Sequence, residues 1–357
     1  MNEKFNKELL EKLSSAFGPS GCEAEVVSLI KDTVGKYADE IIEDTLGNLI
    51  IKINGKTDKK LMMCAHTDEV GFMVRAFDDH GCIYFHTVGG ISCGALCARS
   101  VTVKGKDGKK YPGVIDSKAI HSQSAKERKE YIPTDKMHIN IGAKDEKEVR
   151  ELVSLGDFAV FDSDFVLFGN GFVKGKALDD RVGCAVMCDI IKKLKEENKT
   201  PESTVYFAFT TKEEVGRSGA LTATELIKPD FALILECTAV SDMPDTPAHK
   251  TVSKLGDGVS LSLMDNSTVY RKEVIEKMMT TAEKENVKYQ IKTFVSGGND
   301  AGHIHKTSGG VRCATLSVPS RYIHSACCVI HEDDYASMLD FAYATLFSNE
   351  LTNMESM

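Results

Sequence analysis

Two adjacent glutamates, Glu213 and Glu214, stand in the run TTKEEVGRSGA directly after the apolar stretch 205–209. Packing gives a strand end no use for two ionised carboxylates side by side. Chemistry does: one can hold a metal while its neighbour takes a proton from an attacking water. Other residues suited to the same task are His66 and Asp68 in AHTDEVG, Asp179 and Asp180 in KALDDRVG, Glu236 in LILECT, and His324 in SRYIHSA. In extended chain, positions i and i+2 share a side, so Asp68 can orient the His66 ring and raise its basicity. Asp179-Asp180 opens a predicted helix. One carboxylate suffices to cap it, and a second adds repulsion that shared cations would turn into attraction. Glu236 closes a buried strand, where a charge needs a partner. Taken singly, each motif has a plainer reading: a stray histidine, an N-cap, an exposed loop. Taken together, five positions fall at predicted strand ends, where the ligand sites of open α/β sheets gather. Imidazole and carboxylate donors without thiolate suit zinc, cobalt or manganese. Two histidines and three carboxylates are enough for two ions sharing one carboxylate.

Those residues need a scaffold. Apolar residues at three- and four-residue steps predict helices over residues 4–17 and 22–37. A turn at Leu46-Gly47-Asn48 leads into an alternating stretch, 49–53, and then a short apolar strand, 61–65, that ends at His66. From about 70 to 168 the texture changes to short strands and glycine turns, the pattern of a β-barrel or sandwich. A polar, basic stretch at 119–131 interrupts it and reads as a loop. Beyond Asp179, strands (205–210, 231–235, 311–317) alternate with helices (181–198, 273–286, 333–347). The expected fold class is α/β. A mixed sheet with helices on both faces is formed by residues 1–69 and 166–357, and a β-rich domain, PDZ-like or barrel-like, is inserted as residues 70–165.

A chain of 357 residues, 42% hydrophobic and 27% charged, can bury a large core and is neither disordered nor fibrous. Its net charge of −9 argues against nucleic acid and anionic membranes as partners, since both call for basic surface. The N-terminal stretch MNEKFNKELLEKLSSAFG is charged and amphipathic, unlike a secretory signal. No run approaches the roughly 18 apolar residues of a membrane span, and a cytoplasmic protein is expected. The eleven cysteines are irregularly spaced and lie mostly in apolar segments, as reduced structural thiols do. The pairs Cys93/Cys97, Cys184/Cys188 and Cys327/Cys328 lack the second pair that a zinc finger requires.

The blocks AHTDEVGFMV, KALDDRVG, TTKEEVGRSGA, LECT and GGVRCATLSVPSRYIHS resemble, in this order, the motif blocks of the glutamyl aminopeptidase family of dinuclear metallopeptidases. That family contains the tetrahedral aminopeptidases and some members labelled cellulase M or endoglucanase. The resemblance spans nearly the whole chain. It implies His66, Asp179 and Glu236 on one metal, and Asp179, Glu214 and His324 on the other, with Asp179 as the bridge. It further implies Glu213 as general base, Asp68 as support for His66, and peptide substrates with a free N-terminus. The inserted domain would serve oligomerisation, with dimers building a hollow dodecamer. Two departures stand out: Glu236 replaces the family's usual aspartate, and Lys212 replaces a glutamine before the glutamate pair.

On this reading Glu213 takes the proton of the attacking water and passes it to the leaving amine. A related deacylase, dipeptidase or carboxypeptidase uses similar donors. A metal-binding scaffold without turnover would not need Glu213. A glycosidase needs two carboxylates flanking a sugar, whereas these are committed to cations. His303 and His305 would share a side if extended and could add ligands. His121, with Lys126, Arg128 and Lys129, could bring charge to acidic substrates. His80, His86, His138, His249 and His331 read as surface or packing residues.

Overall fold

A computed structural model describes residues 2–116, 118–244 and 246–354. Its largest element is a mixed sheet of eight strands, ordered along the sheet as Glu40–Glu43, Leu49–Ile53, Ser203–Thr210, Thr57–His66, Phe231–Ala239, Arg312–Ser320, Val259–Ser262 and Tyr289–Lys292. The four central strands run parallel; three are buried almost end to end, and Thr57–His66 is buried from Leu61 onward. That pattern is expected of a sheet covered by helices on both faces. On Thr57–His66, residues two apart share a face and reach the same helical layer. Met62 meets Thr224 of the helix Ser218–Ile227, and Cys64 meets Asp300 beside the helical turn Ala301–Ile304. The helix Leu178–Glu196 packs against the same central strands and is buried along most of its length.

Residues 71–161 form a second body. Six strands close into a barrel in the order Gly71–Phe77, Ile83–Val88, His138–Asn140, Lys110–Ile115, Ser100–Lys104 and Phe158–Phe161. Its own apolar core centres on Phe72, whose ring meets Phe85 and Phe161 edge-on at 5.0 and 5.1 Å. Of the two forms expected for the β-rich insert, the closed barrel is the one present. The basic stretch 119–131 lies exposed and contains two short 3-10 turns, Ile120–Ser122 and Glu127–Lys129.

A three-stranded antiparallel sheet, Val166–Phe168, Phe172–Gly175 and Cys328–His331, matters for the site. Pairing runs from Phe172 opposite His331 to Gly175 opposite Cys328. The chain leaving toward Asp179 therefore departs beside the chain arriving from His324.

Several element bounds differ from the sequence reading. The strand expected to end at 235 continues to Ala239, and its neighbour runs through Pro319 to Ser320. The two pair in parallel over their whole length, from Phe231 opposite Arg312 to Ala239 opposite Ser320. Each strand satisfies the other's backbone, so both lengthen together. Glu236 consequently lies inside a strand rather than after one. Asp179 and Asp180, expected to open the long helix, have non-helical backbone angles and are joined by a cis peptide bond. All eleven cysteines are free thiols. Among the described residues no helix is long and apolar enough to cross a membrane.

Candidate metal centre

The C-terminal ends of the parallel strands set the site. Thr210 is level with His66 across one strand pair, which brings the Glu213-Glu214 turn to the His66 end. On the other side Ile234 is level with Cys64, so Glu236, two residues on, comes beside His66. Asp179 and His324 arrive from the neighbouring three-stranded sheet.

Two groups of donors result, and Asp179 belongs to both. The His66 Nε2 atom lies 3.5 Å from Asp179 Oδ1 and 3.9 Å from Glu236 Oε2. The His324 Nε2 atom lies 3.1 Å from Asp179 Oδ2 and 3.2 Å from Glu214 Oε1. Donor atoms of His66, Asp179 and Glu214 all fall within 4.8 Å of one another.

Asp68 ties these parts together. Its backbone carbonyl is 3.1 Å from His66 Nδ1 and its carboxylate 3.4 Å from the same atom. The carboxylate also accepts the Ser20 hydroxyl and the backbone N–H groups of Glu213 and Glu214, at 3.0 and 3.1 Å. Despite complete burial, these donors and His66 hold the Asp68 carboxyl below its usual range. One side chain thus fixes both the imidazole and the glutamate turn.

The electrostatics of the cluster call for cations. Burial pushes Glu236 well above the usual carboxylate range. It also lifts Glu213, opposed by His66 and Arg217, and carries Glu214 to about 7 against the pull of His324. Burial would lower His324, but Asp179 and Glu214 outweigh it and raise the imidazole to about 11. Protons here stand in for a stronger positive charge. Asp179 Oδ1 is buried without a hydrogen-bond partner, an unfilled acceptor 3.5 Å from His66 Nε2. Orphaned buried oxygens, crowded carboxylates and two imidazoles fit divalent cations well.

A second donor group, Asp179, Asp180 and Cys237, also lies close together. The Cys237 thiol donates to the Leu178 carbonyl at 3.2 Å, and burial keeps its pKa well above the thiol range. Asp180 accepts the Gly183 N–H at 3.0 Å. These residues wall the site; their chemistry suits it less than that of the imidazole–carboxylate groups.

The site opens into a cavity of about 510 Å³ lined by His66, Asp179, Glu213, Glu214, Glu236 and His324, and beyond them by Arg217, Lys292 and Asn299. A slightly larger cavity of about 590 Å³ sits at the opposite end of the strand Arg312–Ser320 and holds none of the six. Sequence reasoning missed Arg217, whose Nε donates to Glu213 Oε1 at 2.6 Å. The four-residue spacing of Glu213 and Arg217 was the available signal. It also missed Ser20, for which no local signal existed.

The remaining histidines fall elsewhere. His303 and His305 are not extended: they lie on and just after the turn Ala301–Ile304, with His305 Nδ1 2.6 Å from the Ala301 carbonyl. Helical geometry turns neighbours two apart to different sides, and neither lines the 510 Å³ cavity. His121 is exposed with Lys126, Arg128 and Lys129 in the 119–131 stretch, also away from that lining. Lys126 pairs with Glu130 at 4.0 Å, and Arg128 donates to the Ile120 carbonyl at 3.1 Å, so part of that charge is used within the stretch.

A parallel sheet rim bearing imidazoles and carboxylates in two groups defines a hydrolase of the metallopeptidase class. Residues 47–341 match the M42 glutamyl aminopeptidase model, and the chain belongs to that family. It is a hydrolase acting on peptide bonds, an aminopeptidase by family. A putative aminopeptidase of Acetivibrio thermocellus is 38% identical over 325 residues, covering 91% of this chain and 93% of that protein. Among solved structures, a TET aminopeptidase from a marine sediment thaumarchaeon superposes with a TM-score of 0.91 at 34% identity, covering 95% of each chain. The TET1 peptidase of Pyrococcus horikoshii gives 0.86 at 31% identity over 96% of this chain and 99% of that one; it is described as assembling into a tetrahedron or a large octahedral shell.

Proposed function

We propose that this aminopeptidase works with two divalent ions, zinc or cobalt before manganese, and releases the first residue of peptides whose N-terminus is free. The observation that carries the reading is Asp179. Its two oxygens face different partners, Oδ1 toward His66 and Oδ2 toward His324. His66, Asp179 and Glu236 would hold one ion, and Asp179, Glu214 and His324 the other. When bound, the ions supply an acidified water and positive charge for the developing oxyanion.

The chain's own residues supply the rest. Glu213 takes the proton of the attacking water and delivers it to the leaving amine. Arg217 holds one of its oxygens, which aims the carboxylate and leaves the other oxygen for the proton. Asp68 keeps His66 and the glutamate turn in one frame. Glu213→Gln should retain two ions per subunit and lose about 100- to 10,000-fold in turnover of aminoacyl-p-nitroanilides. Near-normal turnover in that metallated variant removes Glu213 as base. Cleavage confined to N-acetylated peptides or to C-terminal residues would favour a deacylase or carboxypeptidase instead.

Residues 1–69 and 166–357 are proposed as the catalytic domain, and 70–165 as an oligomerisation domain through which dimers build a dodecamer in the cytoplasm. The shells described for the Pyrococcus relative support this. Light scattering at a particle mass of twelve chains is the expected result, and a monomer would refute it.

A further inference from the structure

The two imidazoles of the metal centre are braced from different bodies. His66 is 1% exposed and rests on Asp68, two residues further along its own segment. His324 is 33% exposed and rests on the barrel. Its Nδ1 lies 2.9 Å from the carbonyl of Gly90, two residues past the barrel strand Ile83–Val88. A carbonyl can only accept, so Nδ1 carries the proton and Nε2 keeps its lone pair toward Asp179 and Glu214. A ring held in this way is preset as a ligand.

Three further observations tie the barrel to the same donors. Gly89 has a left-handed φ of +82°, and a side chain there would come within 2.8 Å of Val70 Cγ1 and 3.3 Å of Glu214 Cβ. Only a residue without Cβ lets the strand end press so closely on Glu214. Ala326, two residues past His324, is buried in the apolar core of the barrel together with Val70 and Phe161. Val70 and Phe161 also border a gap of about 10 Å³ that they share with Asp179, Glu214 and His324. His324 itself has a left-handed φ of 58°, which a residue with a side chain keeps only where its surroundings hold it. The Gly90 carbonyl on one side and the Ala326 anchor on the other are such surroundings.

We infer that the inserted barrel completes the metal centre: Gly89 and Gly90 are positioning residues for the ion assigned to Asp179, Glu214 and His324, and not for the ion assigned to His66. This rests on the two-ion reading and deepens it. The insert then has a task inside its own subunit besides assembly. Displacing the 89–90 segment frees the His324 ring and crowds Glu214, while His66 keeps its support from Asp68.

Zinc titration by calorimetry, with elemental analysis after dialysis, compares the wild type with Gly89→Ala and Gly108→Ala. Gly108 also has a left-handed angle, +77°, in the barrel, but a side chain there meets nothing within 4 Å, so it controls for strain alone. The wild type and Gly108→Ala should bind two ions per subunit alike. Gly89→Ala should bind one ion as the wild type does and the other about 10- to 100-fold more weakly, the usual cost of disturbing an outer partner. Glu236→Gln spares the donors of the affected ion, so adding Gly89→Ala in that background should weaken the ion that remains. Hydrogen exchange on the wild type needs no variant: loading metal should slow the amides of Gly89 and Gly90 and leave that of Gly108 unchanged. If Gly89→Ala does not fold, the exchange result alone decides. Wild-type affinity for both ions in Gly89→Ala, equal weakening of both, the same loss in Gly108→Ala, or no slowing at Gly89 and Gly90 overturns the role of the segment and leaves the two-ion reading standing. A wild type that binds a single ion ends both.

Discussion

The carboxylate of Asp68 accepts the backbone N–H of Glu213 at 3.0 Å while its other oxygen accepts that of Glu214 at 3.1 Å. The residue proposed to support His66 therefore also sets the position of the proposed base and of a proposed ligand. Asp68→Asn would replace one acceptor by an NH2 group pointed at a backbone donor. Metal affinity should fall about 10- to 100-fold, the usual cost of losing such an outer partner, and turnover should stay depressed at saturating metal because Glu213 has shifted as well. Metal titration alongside kcat checks both. Full recovery of kcat at high metal would confine Asp68 to the imidazole.

Asp179 and Glu236 should separate in metal content. Asp179 faces both imidazoles, whereas Glu236 lies beside His66, 3.9 Å from its Nε2. Elemental analysis after dialysis should find close to no bound ion in Asp179→Asn and about one per subunit in Glu236→Gln, since two ions share one carboxylate bridge. Glu236→Asp should keep both ions. Equal loss in Asp179→Asn and Glu236→Gln would contradict the bridge.

A buried ion cluster anchors the segment behind the site. Glu69 accepts Lys176 at 2.8 and 3.0 Å and Arg181 at 3.2 Å, and Arg181 also donates to the carbonyls of Leu13, Ala16, Gly18 and Thr67. All three side chains are less than 10% exposed. Glu69→Ala leaves two cations buried without their anion, a loss of about 3–5 kcal/mol in urea unfolding. Replacing Lys176 by methionine in that background should recover part of the loss. No recovery would mean that Arg181 alone carries the penalty.

The rim residues were legible because each occupies a strand end in the sequence pattern, and parallel register then fixes their level. Glu213-Glu214 and His66 could be placed this way. Two features were not legible. In the three-stranded sheet that brings Asp179 to His324, the pairing of Phe172–Gly175 with Cys328–His331 joins residues more than 150 apart, and the strands are short. Lys292 carries no local signal, since a lysine on an edge strand is ordinary. Only tertiary packing shows that its ammonium is turned inward.

Stability should also respond to pH through Asp334, which is not part of the cavity lining. This aspartate stands in the first turn of the helix Glu332–Thr345, and its oxygens accept the N–H groups of Gly256 and Gly258 at 2.7 and 2.8 Å. Burial raises its carboxyl from 3.8 to about 6 against those donors. A raised carboxylate keeps its proton in the native state at pH values where the unfolded chain has lost it. The stabilisation is complete below the unfolded value and disappears as pH rises through about 6. Asp334→Asn removes this titration. The stability of wild type minus variant should therefore fall between pH 4 and pH 6.5, by at most about 3 kcal/mol, and level off above that. Urea unfolding across that window measures it. A difference that grows with pH would show that the two N–H donors and the helix N-terminus favour the anion more than burial opposes it.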